Sequence, residues 1–181
     1  IGDALDNVTL RTLAGNIVGS ASTITANALT LNASGGIGIG TAVTANATTY
    51  SLTTAGAGAA GNITLIDTGA LNTSQITTLT TAASAQTVSL TSTAGPLTLG
   101  ANIGNALDNL TLIATAGNIE GGAGTATGNN VTLTATNGGI GIVTTVNTNS
   151  NTLVLMSGGA AAAGNITVIE ATATSLTATT N

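Results

Sequence analysis

Residues 104–122 read GNALDNLTLIATAGNIEGG, and residues 2–20 read GDALDNVTLRTLAGNIVGS. The first pair is offset by 102 residues, and two further pairs are offset by 103: GGIGIG at 35–40 with GGIGIV at 138–143, and AGNITLID at 60–67 with AGNITVIE at 163–170. The chain therefore contains two long repeats of about 102 residues, about 2–103 and 104–181. A fixed period is the signature of a repeat architecture, in which stacked units share one core.

A shorter unit of about 20 residues recurs within each long repeat. Each short unit contains an apolar–polar–apolar triplet, and the triplets are VTL at 8, LTL at 29, YSL at 50, VSL at 88, LTL at 110, VTL at 131 and LVL at 153. The triplets are evenly spaced except between 50 and 88, an interval that we interpret as two short units. On this interpretation, five short units fill one long repeat.

The triplets predict short β-strands, because they alternate with period two and are rich in Thr, Val and Ile. In LTLIATAGNI, the alternation predicts that the first, third and fifth residues point inward and the others outward: Leu110, Leu112 and Ala114 against Thr111, Ile113 and Thr115. The first copy carries Arg11 where the second carries Ile113. Only an outward position tolerates that exchange, so the two copies share an inside and differ outside.

The segments between the strands predict sharp corners. They contain AGN, GG or NGG, in which Gly adopts positive φ without strain and Asn tolerates it. Helix formers are lacking there, so βαβ crossovers are not expected. Short strands, Gly or Asn corners and a unit near 20 residues predict an all-β parallel β-helix (β-solenoid) with one coil per unit. An antiparallel sandwich explains neither the constant step nor the long repeat.

We expect residues 1–181 to form a single β-helix segment, excerpted from a longer repetitive chain. At about 4.8 Å per coil, eight or nine coils make a rod roughly 40 Å long.

Composition excludes several classes of function. The chain has one basic residue, Arg11, and six acidic residues among 181, and it lacks His, Cys, Trp and Phe. One cation cannot neutralise several phosphates, so we expect no nucleic-acid partner. No run of about 18 apolar residues is present, so we expect no membrane insertion. A hydrophobic content of 43% argues against disorder.

Catalysis and metal binding are not expected. Asp6 and Asp108 stand at equivalent positions about 24 Å apart along the predicted rod, and Asp67 and Glu170 are separated likewise, so no carboxylate dyad can form. We expect the acids to be solvated corner carboxylates or caps. Without His or Lys no Ser or Thr can be activated, and zinc lacks nitrogen and sulfur ligands. We therefore predict no enzyme and no catalytic, cofactor-binding or metal site, and no cofactor.

Asparagines at the corners have two interpretations. Four of them precede an inward Ile, where stacked Asn side chains can hydrogen-bond along a ladder: Asn16, Asn62, Asn118 and Asn165. Asn-x-Thr triplets, the acceptor sequence for glycans, begin at Asn7, Asn62, Asn109, Asn130 and Asn165. Such triplets also arise by chance in a chain rich in Asn and Thr, so glycan attachment stays open.

The outward centres of the triplets suggest a further class of function. They read Thr9, Thr30, Ser51, Ser89, Thr111, Thr132 and Val154. Regular Thr arrays on a flat β-solenoid face order water and bind ice, although the column is not strict here. An ice-binding β-solenoid and a polysaccharide-binding or polysaccharide-processing β-helix without a visible active site are therefore kept as alternatives.

The segment LTLIATAGNIEGGAGTATGNNVTLTATNGGIGI at 110–142 resembles the repeats of filamentous haemagglutinin-type exoproteins, and the resemblance extends over nearly the whole chain. These are bacterial surface adhesins, exported by two-partner secretion. The resemblance implies a right-handed parallel β-helix and an extracellular or cell-surface location. It also implies a structural or adhesive role in a fibre, sheath or biofilm matrix.

Self-association into fibres or filaments is the partner that we expect. Weak charge lets rods approach one another without repulsion, and lateral or end-to-end contacts would then build the fibre. Host-surface or matrix glycans are further candidate partners. The rival interpretation is a pure spacer that displays a distal binding domain.

Overall fold

A computed structural model of the protein describes residues 1–172 and 175–180. Residues 173, 174 and 181, which fall in the second predicted long repeat, lie outside the described residues. The strands are β1 (Asn7–Thr12), β2 (Ile24–Ala33), β3 (Val43–Thr54), β4 (Ile63–Asp67), β5 (Leu71–Asn72), β6 (Ile76–Thr80), β7 (Thr87–Ser92), β8 (Leu97–Thr98), β9 (Ile103–Gly104), β10 (Asn109–Ala114), β11 (Ile119–Glu120), β12 (Thr125–Ala135), β13 (Val146–Ser157), β14 (Val168–Glu170) and β15 (Ser175–Thr180). The helices described are short 3-10 helices, Gly58–Gly61, Thr73–Gln75 and Ala161–Gly164.

The chain divides into two compact units. Unit 1 consists of Ile1–Thr68 and Gln75–Leu90, and unit 2 consists of Gly69–Ser74 and Thr91–Asn181.

Parallel pairing in register builds unit 1. β1 pairs with β2 and β2 with β3, so that Val8 lies beside Leu29 and Leu29 beside Tyr50. The beginning of β3 pairs with β4, and its end pairs with β6. These partners come from successive turns of the chain and run in the same direction, which is the arrangement of a β-solenoid.

Unit 2 is built in the same way. β10 pairs with β12 and β12 with β13, which places Leu110, Val131 and Leu153 in one column. β13 pairs with both β14 and β15, and β9 pairs with β12. A second parallel sheet of three strands has the order β5, β8, β11. The predicted all-β parallel β-solenoid is confirmed, with about 8 turns over the two units and a spacing of about 22 residues.

The predicted facing of the strands is also confirmed. Leu110 and Leu112 are fully buried, whereas Thr111 and Ile113 lie on the outside and are half-buried. Arg11 is exposed at the outward position of β1 that corresponds to Ile113. The inward residues of β1 are only half-buried, because β1 lies at the edge of the sheet beside β2.

Each unit contains a corner made from three successive turns, AGNI, GGIGI and AGNI. In unit 1, Ile17, Ile37 and Ile63 form parallel bridges and are all buried. The side-chain Oδ1 of Asn16 accepts a hydrogen bond from the backbone N–H of Gly36, at 2.9 Å. The Asn side chain therefore joins one turn to the next beside the column of Ile residues.

The same corner recurs in unit 2. Ile119, Ile140 and Ile166 form the equivalent bridges, and the Oδ1 of Asn118 accepts from the N–H of Gly139 at 3.0 Å. This shared corner accounts for the repetition of AGN and GGIGI between the two long repeats.

Glycine is required at two places in this corner. A Cβ on Gly35 would lie 2.2 Å from the Oδ1 of Asn16, and a Cβ on Gly138 would lie 2.6 Å from the Oδ1 of Asn118. The Gly at the fourth position of GGIGI has φ of 70° in Gly38 and 67° in Gly141, a conformation that L side chains rarely adopt. The prediction of positive φ at the corners therefore holds at this position.

The long interval between triplets at 50 and 88 is divided unequally. Tyr50 pairs with Ile76 and Leu52 with Leu79, with a change of register between Tyr50 and Ser51. Tyr50 and Ile76 are 26 residues apart, whereas Leu29 and Tyr50 are 21 residues apart, so the turn that begins at β3 is longer than the turn before it. The interpretation of this interval as two short units stays a prediction, and the first of the two turns is longer than the ordinary turn.

Candidate functional site

A buried tyrosine–aspartate pair lies in unit 1. Tyr50 is fully buried and Asp67 is 2% exposed. The hydroxyl of Tyr50 donates a hydrogen bond to Oδ2 of Asp67 and accepts one from the backbone N–H of Ala47 at 3.0 Å. Burial raises the pKa of Tyr50, and the hydrogen bond and negative charge of Asp67 raise it further, while the Ala47 N–H lowers it in part. Tyr50 is therefore held as a protonated hydrogen-bond donor.

In unit 2, different residues supply the acceptor for the backbone N–H that corresponds to that of Ala47. The residues that replace Tyr50, Ala47 and Asp67 at the equivalent positions are Leu153, Ser150 and Glu170. The backbone N–H of Ser150 donates to Oε1 of Glu170 at 2.9 Å, and its hydroxyl donates to Oε2 at 2.9 Å. The longer carboxylate thus reaches the backbone N–H that a tyrosine hydroxyl contacts in unit 1.

Hydrogen bonds determine the pKa of Glu170. Burial raises this pKa, but the backbone and side chain of Ser150, the backbone of Thr172 and the side chain of Thr148 donate to the carboxylate, and together they hold the pKa below its ordinary value. The carboxylate is therefore ionised and engaged by its own chain.

Glu120 also joins two turns of unit 2. Its Oε2 accepts from the backbone N–H groups of Val143 and Thr144, each at 3.0 Å, and its Oε1 accepts from Nδ2 of Asn118 at 2.8 Å. The first copy has Val18 at this position. Glu120 thus acts as a cap for the loop above it.

The segments GDALDN and GNALDN fold into the same turn. In unit 2, Oδ1 of Asn105 accepts from the N–H groups of Leu107 at 2.9 Å and Asp108 at 3.1 Å, and Nδ2 of Asn105 donates to Asp108 at 2.7 Å. In unit 1, Oδ1 of Asp3 accepts from the N–H of Leu5 at 2.8 Å. Each turn thereby holds a leucine at its tip.

The acidic residues do not all occupy the expected environment. Asp3 and Asp6 are exposed, whereas Asp67 and Asp108 are buried, so the expectation of solvated corner carboxylates or caps is wrong for Asp67 and holds for Asp108 only as a cap. Asp108 closes its turn, as a cap does, and Asp67 binds Tyr50. Within residues 1–172 and 175–180, no three acidic side chains are grouped so that they could hold a metal ion.

The corner asparagines bind backbone rather than each other. Asn16 and Asn118 accept from glycine N–H groups, and Oδ1 of Asn62 accepts from the N–H of Thr87 at 2.7 Å. The predicted Asn ladder is therefore wrong at these corners. Hydrogen bonds between Asn side chains of successive turns occur at other positions: Asn27 to Asn7, Asn130 to Asn109 and Asn151 to Asn129.

The Asn-x-Thr triplets differ in accessibility. Asn7 and Asn165 are exposed, whereas Asn62, Asn109 and Asn130 are half-buried. Glycan attachment at any of them stays a prediction.

Outward residues form in-register columns within each unit. In unit 1, Thr9, Thr30 and Ser51 are lateral neighbours. In unit 2, the corresponding column is Thr111, Thr132, Val154 and Thr177. A second column in unit 2 consists of Ile113, Thr134, Met156 and Thr179. The outer face is thus hydroxyl-rich but interrupted by apolar side chains.

Two apolar depressions lie in unit 2. The larger, of about 460 Å³, lies between β13, β14 and β15, and its lining includes Leu153, Leu176 and Glu170. The smaller, of about 240 Å³, lies on the outer face, and its lining includes Ala135, Met156 and Gly158. Neither depression was predicted from the sequence, because the shape of each depends on which side chains of neighbouring turns lie beside one another.

The helices that the structure describes are far too short to span a lipid bilayer. No protein-family model, no curated protein and no solved structure matches the chain significantly.

Proposed function

We propose that this chain is a structural and adhesive segment of an extracellular bacterial fibre or surface exoprotein, similar to the repeats of filamentous haemagglutinin. It supplies a rigid shaft and lateral or end-to-end contacts in adhesion, a sheath or a biofilm matrix. It has no catalytic role.

The observation that carries this proposal is the in-register stacking within each unit. Identical or similar residues meet in successive turns, as in the columns of Ile17, Ile37 and Ile63 in unit 1 and of Ile119 and Ile140 in unit 2. Backbone hydrogen bonds between turns then run along the stack, and every added turn repeats the same contacts. A fold of this kind extends by addition of turns without a new core, which suits a shaft.

Low charge supports self-association as the second part of the proposal. The chain is only 4% charged, and its outward columns are formed largely by Thr, Ser, Asn and apolar residues. Neighbouring copies therefore meet little electrostatic repulsion, and burial of their outer faces desolvates few charges.

Electron microscopy and fibre diffraction of the purified protein at rising concentration test this proposal. We expect threads with strands perpendicular to the long axis and a reflection at about 4.8 Å along that axis. A strictly monomeric species at millimolar concentration overturns the proposal. Leu112→Asp, which disrupts the core, should abolish the threads, and Ile113→Asp on the outer face is its matched control for folding.

Location and adhesion need separate tests. An antibody against the segment should label unpermeabilised cells of the source bacterium, and immobilised host-surface or matrix glycans should retain the protein. Labelling without any retention favours the spacer that only displays a distal domain. Labelling confined to permeabilised cells contradicts an extracellular role.

The column of Thr9, Thr30 and Ser51 keeps ice binding as a second candidate. Hydroxyl groups repeat there at the spacing of successive turns, about 4.8 Å. A thermal hysteresis assay decides the matter: a measurable gap between freezing and melting supports ice binding, and no gap rejects it.

A further inference from the structure

An exposed leucine is retained in both long repeats. Leu5 and Leu107 occupy equivalent positions in the two long repeats. Among the large apolar side chains that the structure describes as exposed, they form the one equivalent pair in which both members are exposed, at 88% and 57%. Other exposed apolar residues of the first long repeat do not share this pattern: threonine replaces Leu13, glutamate replaces Val18, and Ile1 corresponds to Ile103, which is buried. Retention of an apolar side chain that packs against little of its own chain points to a contact outside it.

The turn that carries Leu107 is rigid. The backbone N–H groups of Leu107 and Asp108 both donate to Oδ1 of Asn105. The carbonyl of Asp108 accepts from the N–H of Asn129 in the next turn, at 2.7 Å. A side chain on such a turn loses little backbone freedom when it binds. The tip also carries no exposed charge, because Asn105 is neutral and Asp108 is 1% exposed.

An uncharged groove of suitable size lies on the outer face of unit 2. It is the depression of about 240 Å³ described above, here named the Met156 groove, and its lining consists of Thr, Ala, Ser and Gly residues besides Met156. A cavity of about 150 Å³ admits a benzene ring, so this groove has room for a leucine side chain. The flexible thioether of Met156 can adjust to the shape of such an insert.

We propose that the leucine turn of one copy, with Leu107 at its tip, docks into the Met156 groove of a second copy of this chain. This inference rests on the proposed function, which it deepens by naming the residues of a lateral contact. Both surfaces are uncharged, so the contact desolvates no ionised group. Turn and groove are different surfaces, and a contact between different surfaces leaves a free turn and a free groove on every pair, which allows growth into an open assembly.

Thiol cross-linking tests the contact directly, because the chain has no cysteine of its own. Protein with Leu107→Cys is mixed with protein carrying Met156→Cys and treated with a short bis-maleimide. We expect a mixed dimer in excess of either homodimer. Leu13→Cys is the matched control, because Leu13 is 80% exposed but is not retained in the second long repeat. It should give little mixed dimer with Met156→Cys.

Assembly measured by light scattering gives the second readout. Leu107→Ser and Met156→Thr should each raise the concentration at half-assembly by at least about ten-fold, since each removes most of one buried apolar side chain from the contact. Leu13→Ser should leave it unchanged. Because Leu107 and Met156 are exposed within one copy, the thermal midpoint of the dilute protein should not change and confirms folding.

The outcomes separate the inference from the function on which it rests. Threads that form equally well with Leu107→Ser, or a yield of mixed dimer no greater than that of the Leu13→Cys control, overturn the docking contact and leave the fibre proposal standing. A wild-type protein that stays monomeric at millimolar concentration overturns both.

Discussion

Loss of the Tyr50 hydroxyl is expected to destabilise unit 1 by about 3 kcal/mol. In Tyr50→Phe the ring still fills its place, so no cavity forms. The N–H of Ala47 loses its acceptor in a buried site, which costs about 1–3 kcal/mol, and the carboxylate of Asp67 loses one donor, worth about 1.5–3 kcal/mol. The loss of unfolding free energy lies toward the lower end of the summed costs, because Asp67 keeps other contacts.

Thermal unfolding followed by circular dichroism measures this loss, and a midpoint lowered by more than about 10 °C is expected. Tyrosinate absorbance provides an independent readout, since Tyr50 is the one aromatic residue of the chain. Its pKa is raised in the folded state, so its contribution to stability is complete below the unfolded pKa of about 10 and is lost as pH rises above it. Ionisation should therefore accompany unfolding in one cooperative step. A titration centred near pH 10 in the folded protein, or a midpoint unchanged in Tyr50→Phe, refutes the reasoning.

The second unit supplies a rescue for the first. Tyr50→Leu alone should be at least as damaging as Tyr50→Phe, but addition of Ala47→Ser and Asp67→Glu recreates the arrangement around Glu170 and should restore most of the stability. A triple variant no more stable than Tyr50→Leu would show that the two arrangements are not interchangeable.

Three further predictions concern single positions. Leu112→Asp should cost about 3 kcal/mol or more in unfolding free energy, because it places a carboxylate in the core, whereas Ile113→Asp should change it by about 0.5 kcal/mol or less; equal denaturant midpoints would contradict the facing of β10. Asp3→Asn should stabilise unit 1 by about 0.5–1 kcal/mol, since an amide at this position can donate to Asp6 as the equivalent amide does in unit 2; a lower urea midpoint would count against this. Glu170 has a lowered pKa in the folded protein, so the stability it contributes is present above its unfolded pKa of about 4.3 and is lost as pH falls through the folded value. Glu170→Gln should therefore remove this part of the dependence of the melting midpoint on acid pH. A melting midpoint that depends on pH as in the wild type would refute the prediction.

The fold was predictable because the inside of a β-solenoid is written with period two. The alternation in LTLIATAGNI predicted that Leu110 and Leu112 are buried and that Thr111 faces out, and all three do so. The spacing of the triplets likewise predicted that triplets of successive turns stack, and Val8 pairs with Leu29 and Leu29 with Tyr50. These predictions depend only on local alternation and on a constant turn length.

The Tyr50–Asp67 pair could not be predicted in this way. The two residues are 17 positions apart, and their meeting depends on where the turn between β3 and β4 bends. A signal was nevertheless present in the sequence, since Tyr50 and Asp67 both change between the copies, to Leu153 and Glu170. The depressions gave no such signal, because their shape follows from side chains of several turns whose lengths vary.

Arg11 lies on the exposed side of an edge strand, and it is the one lysine or arginine in the sequence. Proteases that cleave after basic residues therefore have one peptide bond to attack in this segment, at the rim of unit 1, where cleavage leaves β2 and all later strands covalently intact. Reagents that modify lysine amines find no side chain to modify. The composition that leaves the outer face almost uncharged thus also leaves the segment with few sites for digestion by trypsin-like enzymes.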